Sequence, residues 1–258
     1  MKVRELYLKL NELIPKSLSC EWDNDGLLCC PDAQREVKKI LVTLDVTGNA
    51  IDKAISGGYD VILSHHPFIF KGLKAIDDEN AISAKAIKLI GAGISVMSFH
   101  TRLDALPGGV NDRLCELLGL VDVESVFEGG IPLGRIGILK NDMSAEEFAK
   151  TVKSVLNSPF VLLADSGKPV HRVGVLGGSG KDFIDVMKSA GADTFVSGRL
   201  DYHPLTDAPD DIAHPINLIE AGHFYTENPV CEALSDMVRG IDGSICCDLF
   251  YSNTIKVI

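Results

Sequence analysis

Short apolar runs rich in β-branched residues alternate along the chain with longer stretches of helical period. Three of these runs predict strands in the first part of the chain: Lys39–Asp45, Asp60–Ser64 and Ile94–Phe99. Four stretches beside them predict helices: Lys2–Leu13, Asn49–Ser56, Ala81–Gly91 and Gly109–Leu118. This alternation is typical of a mainly parallel or mixed sheet with flanking crossover helices, so the predicted fold class is α/β.

A change in pattern after Gly119 suggests two domains. The stretch Val121–Pro132 contains a Gly-Gly pair and a proline, which predict a break in regular structure. Further elements follow: strands at Arg135–Leu139, Phe160–Leu163, Arg172–Leu176, Asp193–Val196 and Ile216–Glu220, helices at Ser144–Leu156, Lys181–Ala190 and about Asn228–Arg239, and one or two closing strands in the tail. We predict an α/β domain of residues 1–120 and 220–258, into which a second α/β domain of residues 121–219 is inserted.

Composition and charge narrow the class of protein. The 258 residues are 46% apolar and 24% charged, which is ordinary for a globular chain of one large or two small domains. With 25 basic and 36 acidic residues, the net charge of −11 repels nucleic-acid phosphates and anionic lipid surfaces. Neither nucleic acid nor a membrane is therefore expected as the main partner.

The N-terminus and the cysteines indicate a cytoplasmic protein. Residues 1–10 carry charges throughout and lack the apolar core of a signal peptide, and no window of roughly 18 uncharged apolar residues predicts a membrane span. The seven cysteines are odd in number and contain no Cys-x-x-Cys spacing. They are expected to be reduced thiols that form neither a disulfide framework nor a thiolate zinc site.

Histidines and a carboxylate follow two neighbouring predicted strands. His65 and His66 come directly after the strand that ends at Ser64, and His100 and Asp104 follow the next one. Because ligand-binding loops of open α/β sheets lie at the carboxyl ends of the strands, these side chains are expected at one edge of the sheet. The alternatives are a polar loop with solvated histidines and, for Asp104, a capping or turn residue.

A second histidine and carboxylate pair follows the predicted strand Ile216–Glu220. His223 and Glu227 are four residues apart, and Asn228-Pro229 predicts that the helix begins only near Thr226, so that the pair lies across a loop-to-helix junction. The alternative is a capping segment in which Thr226 caps the helix. To meet the other candidates, these two residues require that this strand return to the first sheet.

Without His100, the candidates from the three strand ends comprise three imidazoles and two carboxylates, which are enough for two metal ions. A nitrogen and oxygen donor set without thiolate suits Zn, Fe, Mn, Co or Ni, and the residue types do not choose between them. The predicted metal ligands are His65, His66, Asp104, His223 and Glu227.

Several ordered segments resemble the Nif-three-like proteins (NGG-interacting factor three), also called GTP cyclohydrolase 1 type 2 homologues. They are Glu21–Leu27, Ser64–Phe70, His100–Thr101 with Leu103–Asp104, Pro107–Asp112, Gly177–Gly180, and Gly222–His223 with Thr226–Glu227. The resemblance implies a two-domain α/β subunit, a dinuclear metal centre and a ring-shaped homohexamer. It also places the five candidates on the metal-ligand positions and His100 on a nearby position in the site.

Two positions depart from the family pattern. Arg199 stands where relatives often have Glu in Thr-Gly-Glu, and Arg102 stands where they often have Asn in His-Thr-Asn. Both changes add positive charge near the inferred site, which would favour an anionic substrate or mark a lost activity. Two further features remain open: Gly177–Gly180 is a phosphate loop or a tight turn, and Trp22 is a base-stacking or a packing residue.

The leading hypothesis is a dinuclear metal-dependent hydrolase that acts on a small, nucleotide-like substrate, with His100 or His203 moving protons. The purine nucleotide is implied by the resemblance alone. The rival hypotheses are a non-enzymatic, metal-binding hexameric regulatory protein and a metal-delivery protein.

Overall fold

The computed structural model describes residues 1–258. In chain order its helices are α1 (Val3–Leu13), α2 (Gly48–Ser56), α3 (Ala81–Ala92), α4 (Thr101–Ala105), α5 (Val110–Leu118), α6 (Ala145–Val155), α7 (Ile184–Ser189), α8 (Tyr202–Asp207), α9 (His223–Glu227) and α10 (Val230–Ile241). Its strands are β1 (Gly26–Cys29), β2 (Lys39–Thr43), β3 (Val61–Ser64), β4 (Ser95–Ser98), β5 (Val121–Glu128), β6 (Ile131–Met143), β7 (Leu162–Ala164), β8 (Val170–Ser179), β9 (Thr194–Arg199), β10 (Asn217–Glu220) and β11 (Cys246–Leu249). Two short 3-10 helices cover Lys16–Leu18 and Lys181–Phe183.

The first of two compact units comprises residues 1–103 and 230–254. Its five-stranded sheet has the order β1-β4-β3-β2-β11, in which only the edge strand β1 is antiparallel to its neighbour. Strands β3 and β4 are buried along their whole length. Such continuous apolar runs are expected for central strands that are covered on both faces.

The second compact unit comprises residues 104–229 and 255–258. Its six-stranded sheet has the order β5-β6-β8-β9-β10-β7, and β8, β9 and β10 are parallel neighbours. Helix α6 begins with a capping box between Ser144 and Glu147 and buries Phe148 in a core that also contains Val173 and Val196. The predicted α/β fold class is confirmed in both units.

The predicted break at Val121–Pro132 is wrong. Strands β5 and β6 form an antiparallel hairpin there. Its turn is Gly129-Gly130, and both glycines have positive φ, at 57° and 83°. A two-residue turn with positive φ at both positions matches the twist of a hairpin, so the Gly-Gly pair continues the sheet instead of interrupting it.

The predicted return of Ile216–Glu220 to the first sheet is also wrong. Strand β10 pairs with β9 and β7 in the second sheet, and the strand that returns to the first sheet is β11, which pairs with β2 in parallel. The boundaries between the two compact units lie between Leu103 and Asp104 and between Pro229 and Val230. Compactness does not test independent folding, so the domain limits at 120/121 and 219/220 stay a prediction.

Two expectations on chain chemistry can be compared directly with the structure. All seven cysteines are free in the structure. None of the helices combines the length and the apolar character that crossing a membrane requires.

Candidate metal centre

Three parallel strands of the first unit deliver polar side chains to one edge of its sheet. Asp45 follows β2, His65 and His66 follow β3, and His100 follows β4. The three strands are adjacent, with Val42 opposite Leu63 and Ile62 opposite Val96. The carboxyl ends of adjacent parallel strands lie together, which explains why residues distant in sequence meet here.

The three histidines form one compact group. A ring nitrogen from each of His65, His66 and His100 lies within 4.8 Å of one from each of the others. The ring centroids are 5.0 Å apart for His65 and His66, 5.3 Å for His65 and His100, and 5.7 Å for His66 and His100. Clustered imidazoles are suitable ligands for a transition-metal ion.

Hydrogen bonds orient the two adjacent imidazoles. The Nδ1–H of His65 donates to the carbonyl oxygen of Phe99 at 3.0 Å, and the Nδ1–H of His66 donates to Oδ1 of Asp45 at 2.7 Å. Both partners are acceptors, which assigns the proton to Nδ1 and leaves Nε2 as the coordinating nitrogen. Metal-binding histidines are commonly held in this way, through the ring nitrogen that does not bind the ion.

His100 is held by a carboxylate from the segment before β1. Its Nδ1–H donates to Oδ1 of Asp23 at 2.9 Å, and Oδ2 of Asp23 accepts from the backbone N–H of Thr101 at 3.0 Å and from its hydroxyl at 2.7 Å. Burial raises the pKa of Asp23, but the hydrogen bonds from His100 and Thr101 and the charge of His100 outweigh it and lower the pKa to about 2. Asp23 is therefore an anion that orients His100.

Arg102 does not supply positive charge to a ligand site, contrary to one interpretation of the sequence. Its side chain is fully buried, and Nε donates to Oδ2 of Asp25 at 2.9 Å. Its Nη1 donates to Oδ1 of Asn11 at 2.6 Å and to the carbonyl of Ile14 at 2.8 Å, and its guanidinium stacks over Phe99. Arg102 is thus part of a buried ion pair beneath the histidine group.

In the second unit, His223 and Glu227 lie on one face of α9. The Nε2 atom of His223 is 2.9 Å from Oε2 of Glu227, whose side chain is only 5% exposed. The prediction that the helix begins near Thr226 is wrong, because α9 spans His223–Glu227 and a separate helix, α10, begins at Val230. Gly222, with φ of 87°, makes the turn from β10 into α9.

Two glycines of β8 leave room for this pair. A Cβ on Gly178 would overlap Oε1 of Glu227 and lie 3.2 Å from Cε1 of His223, and a Cβ on Gly177 would lie 3.1 Å from Cγ of Glu227. Gly178 also has a positive φ of 68°. Only glycine permits this backbone conformation and this close approach together.

The amides of the Gly177–Gly180 segment already have partners within the protein. Gly177 N–H donates to Oδ1 of Asn111 at 2.8 Å, and Gly178 N–H donates to Oγ1 of Thr226 at 3.1 Å. The N–H of Gly180 donates to the carbonyl of Arg199. These amides are therefore not available to a phosphate. The tight turn is not formed either, because residues 177–179 belong to β8, which shifts register against β9 between Leu176 and Ser179.

Of the remaining candidates of the second unit, Asp104 lies close to Glu227, with a carboxylate oxygen of each within 4.8 Å of the other, whereas His203 is on α8 and Arg199 is at the end of β9. Asp104 is buried on α4, and its backbone carbonyl accepts from Nδ2 of Asn111 at 3.2 Å. His203 is exposed on α8, where its ring packs edge-on against Tyr202. Arg199 is 68% exposed, and its Nε donates to Oδ1 of Asp201 at 2.8 Å. Their roles as a ligand, a proton carrier and an anion contact stay predictions.

The comparisons with known proteins agree with this architecture. The family model of DUF34/NIF3 (NGG1p interacting factor 3) matches residues 1–253. The chain belongs to this family. A relative from Clostridium acetobutylicum named GTP cyclohydrolase 1 type 2 homolog is 32% identical over 248 residues, which are 93% of this chain and 90% of the relative.

Several solved structures share the fold of this chain. A hypothetical protein of Staphylococcus aureus superposes with a TM-score of 0.87 at 29% identity, covering 100% of this chain and 99% of the other. A Bacillus cereus protein related to NIF3 superposes with a TM-score of 0.86 at 24% identity, covering 100% and 99% of the two chains, which shows a common fold.

Two residues that orient the histidines of this DUF34/NIF3 chain escaped prediction. Asp45 follows a parallel strand, like the histidines, so its position at a strand end was an available signal. Asp23 lies within the Glu21–Leu27 segment that carried the family resemblance, but it is 77 residues from His100. No local pattern relates residues at that separation, and only the folded chain reveals their contact.

Proposed function

We propose that this DUF34/NIF3 protein is a metal-dependent hydrolase whose dinuclear centre is formed by His65, His66, Asp104, His223 and Glu227. One observation carries the proposal: in the first unit, each of three clustered imidazoles has its Nδ1–H bonded to an acceptor. These hydrogen bonds fix the orientation of each ring. A role of the rings in metal ligation or catalysis explains why each of them is held in this way.

The donor set fits divalent transition metals. Imidazole nitrogens and carboxylate oxygens without thiolate suit Zn, Fe, Mn, Co or Ni. In the second unit, the buried Glu227 carboxylate lies next to His223. The missing side chains of Gly177 and Gly178 leave the space that this carboxylate occupies. Two neighbouring cations repel each other, and the carboxylates of Asp104 and Glu227 would supply the compensating negative charge.

In the proposed mechanism, the residues of the chain bind, orient and move protons. Bound divalent ions supply Lewis acidity, which lowers the pKa of water and polarises the bond to be cleaved. His100 transfers the proton through Nε2, because its Nδ1–H is bonded to Asp23. The Asp23 anion stabilises the imidazolium that forms when His100 accepts a proton. His203 is the second candidate for proton transfer.

The proposed substrate is a small, nucleotide-like molecule. This substrate class rests on the name of the relatives, GTP cyclohydrolase 1 type 2 homolog, and on the resemblance. We also propose that the protein acts as a homohexamer in the cytoplasm. Mass measurement of the purified protein in solution tests the assembly directly.

A turnover assay on metal-loaded protein tests the proposed activity. We expect hydrolysis of at least one member of a panel of purine nucleotides, phosphoesters and amides, lost in Asp104→Ala and reduced in His100→Ala. The exposed residue His171 provides a matched control. His171→Ala removes an imidazole that pairs with Asp142, and neither residue belongs to the proposed metal centre. Full metal content without turnover on the panel would instead favour a regulatory or metal-delivery role.

A further inference from the structure

One buried asparagine connects the segments that carry the two proposed carboxylate ligands. Asn111, on α5, is fully buried. Its Nδ2 donates to the backbone carbonyls of Asp104 at 3.2 Å and Leu133 at 2.6 Å, and its Oδ1 accepts from the backbone N–H of Gly177 at 2.8 Å. Two acceptors and one donor determine which end of the amide faces each partner, so both ends of the side chain are used.

Gly177 packs directly on the second carboxylate ligand. A Cβ on Gly177 would lie 3.1 Å from Cγ of Glu227 and 3.6 Å from the backbone oxygen of Thr226. The next amide, that of Gly178, donates to Oγ1 of Thr226 at 3.1 Å. The end of β8 is thus held between α5 and α9. Because the contact with Glu227 is close, the position of this strand end determines where the carboxylate lies.

The two carboxylates lie close together. Asp104 and Glu227 are both buried, and a carboxylate oxygen of each lies within 4.8 Å of the other. Like charges at such a separation repel each other, and burial makes the repulsion stronger than in water. The backbone segments that carry the two residues must therefore be held in place. Asn111 holds both, because it bonds to Asp104 directly and to the strand end that packs on Glu227.

We infer that Asn111 is a positioning residue of the proposed dinuclear centre and sets the separation of the Asp104 and Glu227 carboxylates. This inference rests on the proposed function, which gives the two carboxylates their role as ligands. An amide is suited to the task because it donates and accepts at once. An aspartate at this position would place an oxygen against the carbonyl oxygens of Asp104 and Leu133, and an alanine would bond to neither segment.

The connection between α4 and α5 is also held by Arg135, whose side chain is 3% exposed. Its Nη2 donates to the carbonyl of Ala105 at 3.0 Å, and its Nε donates to Oδ1 of Asp112 at 2.6 Å. These bonds join the residue that follows Asp104 to β6 and α5. Loss of the amide at position 111 should therefore shift the two carboxylates without unfolding the segment.

Asn217 provides a matched control in the same unit. It is also fully buried, its Oδ1 accepts from the backbone N–H of Ser166 at 2.9 Å, and its Nδ2 donates to the carbonyl of Lys168 at 3.1 Å. Asn217 begins β10, and neither it nor these partners belong to the candidate ligand groups. Asn111→Ala and Asn217→Ala each remove a buried, fully bonded amide, so similar decreases in the urea midpoint are expected.

Titration with Co²⁺, followed by its visible absorption, measures metal binding without any turnover. We expect the parent and Asn217→Ala to bind about two ions with equal affinity. Asn111→Ala should bind at least one of the ions about tenfold more weakly, the usual effect of removing a group that orients a ligand. Asn111→Ser retains a hydroxyl that can replace one of the lost bonds, so its affinity should lie between those of the parent and Asn111→Ala.

Crystal structures of metal-free parent and Asn111→Ala supply a measurement that does not depend on metal binding. The nearest oxygen atoms of Asp104 and Glu227 should lie farther apart in the variant. An unchanged separation, or equal Co²⁺ affinity in Asn111→Ala and Asn217→Ala, would overturn the inference. A parent protein that binds no Co²⁺ would contradict the proposed hydrolase, and the carboxylate separation in the two crystals would still decide the role of Asn111.

Discussion

The carboxylate of Asp23 lies 2.9 Å from Nδ1 of His100, although the two residues are 77 positions apart in the chain. The same carboxylate also accepts two hydrogen bonds from Thr101, the first residue of α4. It thereby fixes both the orientation of the imidazole and the start of the helix that carries Asp104. The proposed proton transfer depends on this contact.

Asp23→Asn should therefore lower the turnover number by about 10²–10⁴-fold, the range typical for loss of a positioned acid or base. The amide retains the shape but removes the negative charge that stabilises the His100 imidazolium. The pH dependence of the turnover number is the informative measurement, because the limb that belongs to His100 should move to lower pH. An unchanged pH profile would contradict the role of Asp23.

The low pKa of Asp23 also predicts a pH dependence of stability. Its pKa is about 2 in the folded protein against an ordinary value of 3.8, so its contribution is present above about pH 4 and is lost as the pH falls through 2. Its side chain is fully buried, and the contribution is on the order of 2 kcal/mol. Urea unfolding between pH 4 and pH 2 should show a steeper loss of stability in the parent than in Asp23→Asn.

Gly178→Ala should reduce metal content, because its Cβ would displace the Glu227 carboxylate. Gly167→Ala is the matched control: Gly167 has a similar φ of 75°, but a Cβ there meets no atom within 4 Å. Both variants should lose roughly 1 kcal/mol of stability from backbone strain, and only Gly178→Ala should also lose metal. Equal metal content in the two variants would show that metal binding does not need the space beside Gly178.

Arg102→Met should destabilise the protein by about 3 kcal/mol, because it leaves Asp25 buried with one of its cations removed. The expected loss stays near the lower end of the usual range, since Lys16 also pairs with Asp25. Arg199→Met, at an exposed position, should change stability by less than about 1 kcal/mol. Denaturant midpoints of the two variants provide the comparison, and similar midpoints would contradict the structural role of Arg102.

The sequence predicts the first sheet well because its strands are local and strongly apolar. The runs that contain β2, β3 and β4 have no competing interpretation, and their parallel order follows from the intervening helices. The histidine group could be predicted for the same reason, since each histidine directly follows a strand. The orientation of the imidazole rings could not be predicted. The acceptors that fix it, Asp23 for His100 and the Phe99 carbonyl for His65, reach the histidines only through long-range packing.

The second unit was harder to predict from sequence. From its composition, the Gly129-Gly130 segment resembles an irregular loop. In the structure both glycines have positive φ and form the turn of a β-hairpin. Strand β10 is only four residues long, and its pattern does not say which sheet it joins. The short helix α9 was missed because Asn228-Pro229 suggested a later start, although the five residues before it already form a turn of helix.

The central claim is that ligands from strand ends distant in sequence form one dinuclear centre. Elemental analysis of mildly purified protein, repeated after reconstitution with excess metal, tests it most directly. The account predicts about two transition-metal ions per chain, since five protein ligands exceed the three that one catalytic ion usually takes. A reproducible stoichiometry near zero or one that reconstitution does not change would contradict it.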